Sequence, residues 1–295
     1  MHHESVSEFQ EIKVLESKYY GQLLITDNLI QSSEKDEHVY HESLVQPAMI
    51  AHGNPKKVYI GGGGEGATLR EVLKNSCVEE CWMVDIDGVC VDMCRQHMPK
   101  HSAGAFEDPR TKLIIDDAKT ELEKIEDGYF DVIIMDLSDP LDGGPCYQLY
   151  TTSFYEMCKS KLAPGGIFVT QSGCASILDC QDAVFTAINN TLKQVFPKVL
   201  PYTAYVSSFS SEWGFNLAFK AADVNTDEVF GQLDAKIEKM GLDKLRWYDQ
   251  ITHMRMTSLP KEVRQSLANE KRVMTVENPV FMCAPNVHKG VFEKK

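Results

Sequence analysis

Residues 58–73 constrain the fold of this chain more than any other stretch. Val58-Tyr59-Ile60 is a short β-branched and aromatic run, the next six residues hold five glycines, and 67–73 read as a helix. Strand, glycine loop and helix in this order give meaning to the Gly-x-Gly-x-x-Gly spacing of Gly61, Gly63 and Gly66. Glycine permits positive φ and lets a ligand approach the backbone. The helix start beyond it offers free N–H groups. The motif points to a bound nucleotide without saying which one. Glu65 narrows the choice. A carboxylate in this loop repels a pyrophosphate, so the loop suits a cationic ligand better than a dinucleotide.

The chain has 295 residues, enough for one large domain or a large one with a small companion. Hydrophobic residues make up 43% and charged residues 25%, the balance of a soluble globular protein. No apolar run is long enough to span a membrane, and 1–20 lack the basic-then-apolar order of a secretory signal. A net charge of −13 disfavours nucleic acid as a partner and favours cations. Nine cysteines, an odd number scattered through apparently regular elements, fit a reducing, cytoplasmic compartment. Cys77/Cys81 and Cys90/Cys94 are each four apart, but they lack Cys-x-x-Cys spacing and no histidine pattern completes them. Buried thiols are expected there, and no metal. His2 and His3 are expected to be disordered at a frayed terminus.

Along the chain, 1–39 read as β, with runs at 11–15 and 21–26 and an Asp27-Asn28 turn. Residues 40–52 read as a helix that Pro47 interrupts, leaving a kink or a late start open. Strands at 81–84, 112–115, 132–135 and 167–170 then alternate with helices at 89–97, 120–125, 153–161 and 182–195. Ala163-Pro164-Gly165-Gly166 stops the third of these helices, and further strands are expected near 204–206 and 215–219. Repeated βα units with apolar strands imply a parallel sheet covered on both faces. The tail reads as helical over 227–240 and again after Ser258-Leu259-Pro260, with packing roles.

In such sheets ligands bind beyond the carboxyl ends of the strands. Here those ends carry Glu65, Asp85, Asp117, Asp136 and Gln171. Any one acid there could be a turn former or a cap; the whole succession is harder to explain as caps. Asp85 lies about twenty residues past the loop, at the ribose-diol position of the nucleotide fingerprint. Asp117-Ala118 suits an adenine, with a carboxylate accepting from the exocyclic amine and a backbone N–H donating to the ring. With Glu65, this describes an adenosine carrying a cationic, non-phosphate end. Asp136 and Asp139, three apart at a strand end, suit an amine as the second ligand. The stretch from Pro140 to Pro145 suggests a loop able to close over the site.

Gly62-Gly63-Gly64-Glu65-Gly66, Asp85-Ile86-Asp87, Asp117-Ala118 and Asp136-Leu137-Ser138-Asp139-Pro140 together resemble the spermidine/spermine synthase family of aminopropyltransferases. The resemblance runs from about Phe9 to the end of the chain. Within the family, Tyr40-His41-Glu42-Ser43-Leu44-Val45 and the stretch from Asp139 to Tyr150 are most similar to members that make thermospermine.

The resemblance implies a Rossmann-like, class I methyltransferase-type α/β fold with a mostly parallel sheet. It implies a small N-terminal β domain at 1–39, a catalytic domain at 40–295, and a homodimer or homotetramer. The implied donor is decarboxylated S-adenosylmethionine, a co-substrate rather than a cofactor. Gln10, Gln31, Gly62, Gly64, Glu65, Asp85, Asp117 and Ala118 would surround it. Asp136 would be the catalytic acid–base residue, with Tyr40, His41, Leu137, Asp139 and Phe209 on the acceptor side. Three of these depart from the spermidine-forming pattern. His41 stands where glutamine is usual, Leu137 replaces a serine, and Phe209 stands about where a tyrosine is expected. All three argue against putrescine as acceptor, and none is expected to touch the donor site. The alternatives are spermine or spermidine formation, a methyltransferase whose donor carboxylate Glu65 would repel, and a non-catalytic polyamine or nucleoside binder.

Overall fold

Strands whose side chains are apolar on both faces must be covered by helices on both sides. The computed structural model, which describes residues 2–141, 144–176 and 184–282, meets that requirement. Its first four strands, β1 (His2–Val6), β2 (Glu11–Ser17), β3 (Gly21–Thr26) and β4 (Leu29–Ser33), form a separate antiparallel sheet in sequence order. Asp27 and Asn28 link β3 to β4 with φ of 48° and 65°, a two-residue turn with both central residues left-handed. His2 and His3 are part of β1, contrary to the expectation of a frayed end; the His3 ring stacks on His97 at 3.6 Å.

The second sheet holds β5 (Lys57–Gly62), β6 (Glu80–Asp85), β7 (Thr111–Ile115), β8 (Phe130–Asp136), β9 (Leu162–Cys174), β10 (Lys198–Val206) and β11 (Ser211–Phe219). Its order is β10-β11-β9-β8-β5-β6-β7. The pairings among β5, β6, β7, β8 and β9 are parallel, while β11 is antiparallel to both β9 and β10. The chain therefore builds outward from β5 on one side and then returns to place β8 on the other. Strand order reverses between β5 and β8, which is where ligands bind in sheets of this kind. The covering helices are α1 (Glu37–His52), α2 (Ala67–Leu73), α3 (Gly88–His97), α4 (Pro99–Ser102), α5 (Ala118–Glu123), α6 (Thr152–Lys161) and α7 (Val184–Val195). Asp182 and Ala183, the expected start of α7, lie outside the described residues. Further helices at Gln250–Thr257 and Lys261–Asn269 follow, and the stretch expected to be helical over 227–240 divides at Gln232, whose φ is 54°.

One breaker signal was absorbed, and the other stopped its helix, since α6 ends at Lys161 ahead of Ala163. Pro47 lies inside α1, which runs unbroken from Glu37 to His52. A proline has no N–H for the carbonyl four residues earlier, and here the Tyr202 hydroxyl donates to the Ser43 carbonyl at 2.9 Å instead. Ala163-Pro164-Gly165-Gly166 lies within β9 as a bulge: Phe130 pairs with Leu162 but Val132 pairs with Ile167.

Cys90 and Cys94 lie on one face of α3, buried against Ile12, Val14 and Leu24 of the first sheet. They join the two sheets as apolar packing, the ordinary role of buried thiols.

Candidate active site

The parallel register of β5 and β8 sets Gly62 opposite Asp136. The Gly63 N–H donates to the Asp136 carbonyl at 3.0 Å. Gly62 has φ +81°, and a Cβ there would collide with that same carbonyl oxygen. Gly66 has φ +79°, and a Cβ there would lie 2.6 Å from Phe106 and 2.7 Å from Ser102. Only glycine fits at either position, so the loop is held against β8 and α4 by backbone contact.

Asp136 ends β8 with both carboxylate oxygens occupied. Tyr40 Oη donates to Oδ1 at 2.6 Å and Thr68 Oγ1 to Oδ2 at 2.6 Å. Burial and then the neighbouring Glu65 raise the Asp136 pKa, against the opposing pull of His41, Thr68 and Tyr40. Asp139 is held by Gln171 Nε2 at 3.2 Å, and burial pushes it up to about 6. Asp85 receives the Asp87 N–H at 2.8 Å, and burial pushes it likewise to about 6. Among the described residues no lysine or arginine forms an ion pair with Asp85, Asp136 or Asp139. The site thus gathers carboxylates with no lysine or arginine paired to them among the described residues, an arrangement that a cationic ligand would relieve.

Gln171, noted at its strand end without a role, is the buried junction of the acceptor side. Its Nε2 donates to the Leu137 carbonyl at 2.7 Å and to Tyr150 Oη at 2.8 Å. Its Oε1 accepts from Gly173 N at 2.8 Å and from Trp213 Nε1 at 3.1 Å. The Phe209 ring meets Tyr40 edge-on at 5.9 Å and tilts against Trp213 at 4.8 Å. Leu137 packs into the apolar cluster beside Tyr150. Tyr40 thus links Asp136 to Phe209, and Gln171 links Asp139 to the Leu137 backbone. Of the proposed closing loop, Asp142 and Gly143 lie outside the described residues, while the Met282 N–H bonds the Pro140 carbonyl at 2.8 Å.

On the other side, Gln10 Nε2 and Ser7 Oγ both donate to Asp87 Oδ2, at 2.8 and 2.7 Å. This brings the chain leading into β2 against the end of β6. Gln31 makes only a 3.5 Å contact to the Leu29 carbonyl among the described residues. Asp117 caps α5 by accepting from Thr120 N at 2.7 Å, so the cap that its position suggested is present. Ala118 is buried beside it, with its carbonyl bonded by Tyr59 Oη.

His41, expected on the acceptor side, lies between the two groups: its ring meets Tyr40 at 5.0 Å, and its Nε2 lies 2.9 Å from Glu65 Oε1. Residues 24 apart in sequence meet because α1 crosses above the glycine loop, and no local pattern signals that. Thr68 and Glu37 carry no local signal either: they join the site only through contacts to Asp136 and His41.

Fold and site together define a Rossmann-like chain of the methyltransferase type with acids gathered at its topological switch point. A spermine/spermidine synthase domain matches residues 37–228, and a spermidine synthase tetramerisation domain matches 1–34. Over 281 residues the chain is 44% identical to a thermospermine synthase of Arabidopsis thaliana, covering 95% of this chain and 81% of that protein. It is 45% identical over 280 residues to a polyamine aminopropyltransferase of Aeropyrum pernix, covering 94% and 88%. A spermidine synthase solved with the transition-state analogue AdoDATO superposes with a TM-score of 0.83 at 31% identity, covering 90% of this chain and 87% of that one. The spermidine synthase of Thermotoga maritima gives 0.80 at 30% identity, with the same coverage. The chain belongs to the spermine/spermidine synthase family and is an aminopropyltransferase.

Proposed function

We propose that the protein transfers the aminopropyl group of decarboxylated S-adenosylmethionine to spermidine and makes thermospermine. The observation that carries this reading is the set of carboxylates, Asp85, Asp136 and Asp139, that lie at the strand ends with no lysine or arginine paired to them, and Leu137 and Phe209 are proposed as an apolar wall beside them. Glu65, Asp85, Asp117 and Ala118 would hold the donor with the backbone of Gly62 and Gly64, and Gln10 and Gln31 would close it from the N-terminal side. A spermidine amine attacks the methylene carbon next to the sulfonium. The carbon–sulfur bond breaks, its electron pair goes to sulfur, and neutral methylthioadenosine leaves. The sulfonium supplies the activation, so the leaving group needs no acid. The nucleophile is the harder problem: judged by lysine, freeing an ammonium lone pair at pH 7 costs roughly 4–5 kcal/mol. Asp136, oriented by Tyr40 and Thr68, accepts the proton as the carbon–nitrogen bond forms. Asp139, fixed by Gln171, anchors a remote ammonium and sets register.

The apolar wall favours the longer methylene chain, and a short diamine loses contacts that it does not regain elsewhere. The two ends of spermidine differ by one methylene between nitrogens, worth only about 1–3 kcal/mol of discrimination. Product identity therefore leans on the likeness to the plant thermospermine synthase. The test incubates protein and donor separately with putrescine and spermidine and separates the products against thermospermine and spermine standards. Thermospermine from spermidine, with putrescine poor, is the expected result. Predominant spermine would overturn the product assignment, and efficient use of putrescine would overturn the acceptor.

A further inference from the structure

A buried ladder of charged groups starts at the glycine loop and runs beneath it. Glu65 Oε1 is 2.9 Å from His41 Nε2, and His41 Nδ1 is 2.8 Å from Glu37 Oε2. Glu37 Oε2 also accepts from Arg70 Nη2 at 2.8 Å, and the same nitrogen reaches Glu71 Oε1 at 2.9 Å. Lys74 Nζ lies 2.6 Å from Glu71 and 3.7 Å from Glu42. Glu42 ends the ladder by accepting the backbone N–H groups of Arg246, Trp247 and Tyr248 at 2.8, 2.8 and 3.0 Å. The signs alternate along the whole ladder on one condition, that the His41 ring is a cation.

The ring geometry meets that condition. A neutral imidazole has one N–H and one lone pair, but each nitrogen of His41 faces a carboxylate oxygen. A neutral ring would set a lone pair against a carboxylate at one of these contacts, in a place that is 1% exposed and so shielded from bulk solvent. Protonating Glu37 instead would weaken its bond to Arg70. Among the described residues, charged and titratable groups surround the ring from every element packed against it. Glu37 and Tyr40 come from α1, Glu65 from the loop, Arg70 from α2, His101 from α4 and Asp136 from β8. Burial opposes the charge, yet the two carboxylates outweigh it and hold the His41 pKa at about 10. The cation then acts in two directions. It fixes Glu65 through Oε1. It also offsets the repulsion between Glu65 and Asp136, since ligating atoms of His41, Glu65 and Asp136 all lie within 4.8 Å of one another.

We propose that His41 is a permanently protonated positioning residue that orients Glu65 for the donor and keeps Glu65 and Asp136 ionised together. The donor half rests on the function proposed above, whereas the ring's charge does not.

Two measurements separate these halves. Nitrogen-15 NMR of the full chain labelled in histidine reads the ring directly, with His41→Gln assigning the resonances by their loss. Both His41 nitrogens are expected at protonated shifts, constant from about pH 6.5 to about 9, below the raised pKa; one unprotonated nitrogen near neutrality would overturn the proposal whatever the enzyme's reaction. Glu65→Gln, which removes one of the two carboxylates, is expected to bring the ring's titration down into that range. It also gives a reading should His41→Gln fail to fold. For turnover, Glu65 and Asp136 repel each other within 4.8 Å, and without a cation beside them the pKa of one is expected to rise. In His41→Gln the donor KM at about pH 7 is therefore expected to rise about tenfold, and the acid limb of kcat/KM to move up by about one unit or more, with the KM excess shrinking toward about pH 9. A KM raised equally at every pH, with the acid limb in place, would reduce His41 to packing. Absence of turnover in the wild type would count against the proposed reaction and leave the NMR result intact.

Discussion

The two acceptor-side aspartates, only three residues apart, are expected to respond oppositely to the loss of one charge. On the proposed mechanism Asp136→Asn removes the proton acceptor, and turnover should fall by about two to four orders of magnitude, the range for losing a positioned base. Donor affinity should change little, and single-turnover kinetics with a donor titration measures both; near-normal turnover would release Asp136 from its role. Asp139→Asn removes a register anchor and, with it, a buried charge that lacks a cation. Its folded pKa of about 6 lies above the ordinary 3.8, so between these values the folded state binds more protons than the unfolded one. Stability therefore declines as pH rises from about 4 to about 6, and the cost is complete above that window. The asparagine variant should be more stable than wild type at about pH 8 by on the order of 1–3 kcal/mol, with no gain near pH 4, while its spermidine KM rises. Thermal melts at the two pH values decide this, and equal shifts at both would mean that the charge of Asp139 is compensated already.

At the scale of elements, the sequence was legible wherever the signal is local. Apolar strands, the glycine loop and an acid at each carboxyl end are properties of short segments, and β5, β6, β7 and β8 appear where their patterns lie. Signals failed where a distant residue answers them. Pro47 reads as a breaker because the partner of the Ser43 carbonyl lies far along the chain, on β10. The Ala163–Gly166 stop does end α6 at Lys161, but its place as a bulge in β9 is defined only by the opposite strand, β8. The contact of His41 with Glu65 was not legible because it exists only once α1 lies across the loop. The proline case yields a measurable coupling. Tyr202→Phe leaves the buried Ser43 carbonyl without a partner and should cost about 1–3 kcal/mol. In a Pro47→Ala background the backbone regains the missing N–H, so the same tyrosine change should cost less. A double-mutant cycle in urea at fixed protein concentration reads the difference, and additive effects would show that the hydroxyl does not replace the lost helix bond.

The whole molecule joins a small sheet and a large one, and the small sheet has two faces with different tasks. Ile12, Val14 and Leu24 bury its inner face on α3, and Ser7 and Gln10 tie the chain between β1 and β2 to Asp87 at the edge of the site. The register sets Val6 opposite Glu11 and Glu4 opposite Lys13 on the outer face. Val6 is 74% exposed there, and β1 is an edge strand with a partner on one side only. An exposed apolar residue on an open edge is what a second chain covers, and residues 1–34 match a tetramerisation domain. Val6→Lys tests this without breaking the hairpin, because a lysine opposite Glu11 is a favourable cross-strand pair. An edge lysine disfavours pairing with another chain. Sedimentation velocity at micromolar concentration should show a smaller species than wild type. The donor KM should stay within about threefold, since the contacts to Asp87 are made within one chain and lie apart from the substitution's outward face. An unchanged mass would place the interface elsewhere. A smaller species that has also lost donor affinity would mean that the partner copy supports the donor side, and that the contacts of Ser7 and Gln10 with Asp87 depend on assembly.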